Sequence, residues 1–172
     1  MIISILGPQQ ELMVYVYLKP HKAMRSEFPS LFAAADFYGL PKLVEIVWHA
    51  VEVTVLEDDW NMLLILQGCL HETTWAEEIK VFVLQAISKR VEHLSNQVPP
   101  LEILSRITSA CMELVMQNSS MEGNEYVLFR LVDKWASAPS TTLAERENAS
   151  LLVRNYISLH EIPVELLFEQ GK

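Results

Sequence analysis

Glu77-Glu-Ile-Lys-Val-Phe-Val-Leu-Gln-Ala-Ile-Ser-Lys-Arg-Val91 is the stretch on which the fold reading turns. Ile79, Phe82, Val83, Ala86, Ile87 and Val91 recur at three- and four-residue intervals, so on a helix they form one apolar stripe, with Lys80, Lys89 and Arg90 largely off it. A half-buried strand would alternate every second residue instead. Upstream, Thr73 or Thr74 can cap the helix, and Glu77 and Glu78 suit the positive end of its dipole. Downstream, Ser95-Asn-Gln-Val-Pro-Pro100 reads as a proline-marked break and the natural place for a boundary between subregions.

Working outward, the same 3.6-residue period recurs along the chain. Pro29 opens a segment carrying Leu31, Phe32, Ala35 and Phe37/Tyr38 that reads as a helix stopping at Gly39, the residue best suited to a left-handed cap. Pro41 then starts a helix with Leu43, Val44, Val47, Trp48 and Val51 on one face. His21 to Glu27 reads as a polar connection, and Val51 to Leu56 is β-branched enough to fit a helix end or a strand. Helices are expected over Trp60 to Leu70, Leu101 to Val115, Glu125 to Ala136, Leu143 to Leu159 and Pro163 to Glu169. At the start, Met1 to Leu6 reads as a short strand and Gln9 to Leu18 as a helix. The expected class is therefore all-α, with irregular helical hairpins stacked in series and at most one or two short strands near the N-terminus. The helix starts are unevenly spaced, which argues against a regular solenoid.

The composition agrees. Of 172 residues 51% are hydrophobic and 20% charged, which excludes global disorder. Thirteen basic against 22 acidic residues give a net charge of −9, which argues against nucleic acid and anionic membranes and for protein partners. No apolar run approaches the ~20 residues of a membrane span, and no secretory leader is read at Met1. Cytoplasm, nucleus or both is the setting this suggests. The two cysteines, Cys69 and Cys111, lie in apolar patterns and are expected as small core residues.

The sequence carries no local catalytic or metal-binding signature: no glycine-rich phosphate loop, no nucleophile elbow, no paired Cys and His spacing. His71, His93 and His160 fall near helix ends, where they suit the dipole. Glu57-Asp58-Asp59 is expected to be a solvated helix start rather than a cation site, because the calcium-loop glycine and distal glutamate are missing. Trp48, Trp60, Trp75 and Trp135 are expected in the core. The reading is a non-enzymatic chain without catalytic residues, cofactor or metal.

Leu31-Phe-Ala-Ala-Ala-Asp-Phe-Tyr-Gly-Leu-Pro-Lys-Leu-Val-Glu45 resembles the helix-turn-helix near the end of BTB/POZ domains, and Glu11 to Leu18 looks like an earlier helix of that family. Glu113 to Trp135 is similar to the centre of a BACK domain, and Leu151 to Arg154 with Ile162 to Leu167 looks like its end. The resemblance implies a partial, C-terminal half of a BTB/POZ domain over 1–56, lacking most of the usual dimer face, and a BACK-like domain over 57–172. It further implies an adaptor that links substrates to a cullin-type ubiquitin ligase, with Phe37, Tyr38 and Leu40 near the cullin side. The competing expectation is that Phe37 and Leu40 plug the helix pair, as apolar residues at helix turns usually do. The alternative function is a generic all-helical scaffold or assembly protein unrelated to ubiquitination.

Overall fold

The computed structural model describes residues 22–71, 76–118 and 125–168, and among these the architecture is all-helical with no strand. The strand expected at Met1 to Leu6, the helix at Gln9 to Leu18, the Thr73 or Thr74 cap and Trp75 lie outside the described residues. The chain divides into two compact units, Met1–Val83 and Leu84–Lys172.

In the first unit a 3-10 turn, Lys22–Glu27, replaces most of the polar connection expected there and leads directly into α1, Phe28–Phe37. Then follow α2, Pro41–Glu57, and α3, Asp59–Cys69. The ambiguous Val51 to Leu56 run is helical. Asp58 sits in extended conformation at the junction, and its side chain accepts the Trp60 amide at 3.0 Å, so one helix ends and the next is capped at a single residue. The acidic start is not uniformly solvated as expected: Asp59 is buried.

α3 is the centre of this unit. Every residue from Asp59 to Leu66 is buried, because the helix packs against the 3-10 turn, α1 and α2 at once. That enclosure also traps polarity. Asn61 is fully buried, and among the described residues neither its amide nitrogen nor its amide oxygen has a hydrogen-bond partner. An unmet buried amide costs about 1–3 kcal/mol, whereas an apolar group of similar shape carries no such penalty. Asn61→Leu should therefore raise the urea midpoint of unfolding; a fall would mean that the amide has partners in solution.

α4, Glu77–Asn96, runs across the division between the units. Its stripe is as expected: Ile79, Val83, Ile87 and Val91 are buried. In the first unit its Phe82 meets Trp48 at 5.4 Å between ring centres, and Trp48 meets Phe32 at 6.0 Å. The second unit continues with α5, Leu101–Leu104, and α6, Ser109–Met116, and then α7, Glu125–Ala136, and α8, Leu143–Tyr156. A 3-10 turn, Leu159–Glu161, and α9, Val164–Phe168, follow.

The single helix expected over Leu101 to Val115 is broken in two. Thr108 adopts an extended conformation and its hydroxyl caps α6 by accepting the Cys111 amide, while the Ile107 carbonyl accepts the Trp135 indole N–H at 2.9 Å. A neighbouring helix thus takes up a backbone acceptor that a continuous helix would have used internally. α8 closes on α6 through side chains. Glu145 accepts the Ser109 amide at 2.9 Å, and Tyr156 donates to Glu113 at 2.7 Å. Ser109 is the first residue of α6, so the Glu145 carboxylate satisfies a donor that no intrahelical bond can reach.

Candidate interaction surface

α1 ends in a turn whose amides, from Tyr38 to Leu40, are all bonded back to the helix. The Gly39 amide donates to Asp36 O at 3.0 Å and the Leu40 amide to Ala35 O at 2.8 Å, with Gly39 at φ +64°. This is the Schellman arrangement, and the left-handed residue it requires is the reason a glycine stands there. Pro41 follows at once as the first residue of α2, where its missing N–H is no loss. The turn is accordingly tight between two helices that pack on each other.

The expectation that Phe37 and Leu40 plug the helix pair fails for Phe37. Leu40 is partly covered, consistent with the contact that this residue makes toward the last turn in a Schellman motif. Phe37 is 69% exposed and Tyr38 71% exposed. Helical phase explains it. The buried face of α1 is set by Phe28, Phe32 and Ala35, and nine residues at ~100° each place Phe37 about 180° from Phe28. The two exposed rings meet edge to face, with centres 5.1 Å apart and planes at 86°. A pair so arranged presents a large apolar area with few rotamers to freeze on docking. Asp36, exposed beside it, and exposed Lys42 on α2 supply charges at the rim.

Elsewhere the described side chains divide between core and solvent. Cys69, Cys111, Trp60 and Trp135 are buried as expected, while Trp48 is half-buried and its indole donates to Glu52 at 3.0 Å. His93 lies within hydrogen-bond distance of Gln97, and exposed His160 lies 3.8 Å from Glu161. Among the described residues no group of three or more His, Cys, Asp and Glu is placed to hold a metal ion. No described helix is long and apolar enough to cross a membrane.

One basic site is perturbed. Lys134 on α7 donates to the Gln97 carbonyl at 2.6 Å, and partial burial, with the nearby Arg130 charge as the lesser cause, lowers its ammonium below the ordinary lysine value. Arg130 itself donates to Asn96 at 2.6 Å, so both cations grip the end of α4. Sequence reasoning treated that region only as a break. The signal it passed over is the Pro-Pro pair flanked by two apolar residues, Val98 and Leu101, which are 90% and 60% exposed.

The geometry defines an all-helical chain whose most prominent described feature is an exposed aromatic turn. Comparison with protein-family models, curated proteins and solved structures finds no match to this chain.

Proposed function

We propose that this chain is a non-enzymatic protein-interaction module of the kind its sequence resembles, a BTB–BACK adaptor that joins substrates to a cullin-type ubiquitin ligase in the cytoplasm or nucleus. The observation that supports this reading is the exposed Phe37–Tyr38 pair, held on a backbone turn that Gly39 and Pro41 keep rigid. Aromatic residues on a preorganised support are what protein interfaces use as anchors. The net charge of −9 favours protein over nucleic acid as the partner.

The test is direct binding of the purified chain to a recombinant cullin N-terminal domain, followed by calorimetry. Phe37→Ala with Tyr38→Ala should weaken binding at least tenfold while leaving the circular dichroism unchanged, because both side chains stand in solvent. Absence of cullin binding, or binding indifferent to the double substitution, removes the adaptor reading and leaves the generic helical scaffold.

A further inference from the structure

One face of α3 bears on main chain. A Cβ on Gly68 would stand 2.0 Å from the Ser26 carbonyl oxygen, so at this point the helix touches the backbone of the 3-10 turn Lys22–Glu27 directly. Asn61 precedes Gly68 by two turns of helix and lies only about 20° from it in phase, which puts it on the same face. Arg25 follows that face toward the start of α3: it is the neighbour of Ser26 in the turn, yet its Nη2 comes within 3.8 Å of Glu57, just before α3 begins.

The seam between turn and helix is polar and unpaid. Among the described residues, Arg25 Nη1 and both amide atoms of Asn61 are buried without a hydrogen-bond partner. Little holds the turn down in return. Arg25 and Ser26 are only partly covered and Glu27 is exposed, and the Arg25–Glu57 pair has a partner more than half in water, so it contributes little. Six residues of 3-10 helix do not persist away from a support. Immediately afterwards the chain is anchored, with Phe28 and Pro29 buried at the start of α1. The change from loosely held to anchored falls at Glu27, whose side chain makes no capping bond to α1.

We propose that Lys22–Glu27 is a hinged strap over α3. It swings about Glu27 while α1 stays seated at Phe28 and Pro29, and its open state uncovers the stripe from Asn61 to Gly68. Opening returns Arg25 Nη1 and the Asn61 amide to water, where each recovers the hydrogen bonds that the closed form denies it. The penalty falls on the closed state alone, so the strap lifts at a lower free energy than the unit unfolds. The adaptor reading does not enter the argument, since Phe37 and Tyr38 stand at the other end of α1.

Native-state hydrogen exchange of the full chain, followed by NMR at low urea, tests this. The amides of Arg25, Ser26 and Glu27 should exchange roughly a hundredfold faster than those of Leu63 to Leu66 within α3, at rates that do not change with urea. Asn61→Leu and Arg25→Met put apolar groups of similar size in place of the unmet ones, and each should slow exchange of the strap amides about tenfold. Strap amides that exchange at the rate and with the urea dependence of those in α3, or strap exchange that neither substitution slows, would overturn the proposal.

Discussion

Gly68→Ala lowers the thermal midpoint of this protein by several degrees, although the same substitution in an exposed helix stabilises. Helix propensity alone favours alanine by about 1 kcal/mol. Against it stands a backbone contact: a Cβ at position 68 would lie 2.0 Å from the Ser26 carbonyl oxygen, 2.8 Å from its carbon and 3.1 Å from the Pro29 ring. The first two atoms are main chain in the 3-10 turn and cannot rotate aside, so α3 and that turn must separate. Overpacking of this kind costs about 1–3 kcal/mol and occasionally more, which exceeds the propensity gain. A Cβ 2.0 Å from a backbone oxygen puts the cost at the upper end, about 3 kcal/mol, so the net loss is about 2 kcal/mol, a shift of roughly 4–8 °C in a chain of this length. A variant as stable as the parent would show that α3 does not seat against Ser26.

The second large effect belongs to Trp135. Its side chain is 1% exposed, and its indole N–H reaches the Ile107 carbonyl at 2.9 Å within the core of the second unit. Trp135→Ala should cost about 3–5 kcal/mol through lost burial and the cavity left behind. Trp135→Phe separates the two contributions. It retains most of the apolar volume but leaves the carbonyl without its donor, a loss of about 1–3 kcal/mol. Chemical denaturation of both variants measures the difference. If Trp135→Phe unfolds at the parent's midpoint, the indole bond contributes nothing and the break before α6 must have another cause.

Much of the fold was legible because helices announce themselves locally. The stripe from Ile79 to Val91 and the stop at Gly39 followed by a start at Pro41 rest on residues within a few positions of one another, and the structure places them as the spacing predicts. The exposed ring of Phe37 was within reach of the same reasoning. Its phase relative to Phe28 was written in the sequence, but the general habit of apolar residues at helix turns was given more weight than the angle. The Pro-Pro pair after Val98 was visible in the sequence, yet the exposure of Leu101 depends on Ile103 and Leu104 finding a core.

What the sequence by itself determined is the all-helical character, the position of most helix ends and the φ values that Pro99 and Pro100 impose. These follow from steric limits and hydrogen bonds between near neighbours. Only the tertiary structure decided that Gly68 is a point of contact rather than a weak helical position. It alone split Leu101 to Val115 at Thr108 and sent Glu145 to the Ser109 amide. In each case the deciding atom belongs to a residue far away along the chain. Periodicity reports which face of a helix will be buried, but not which backbone group will be waiting there.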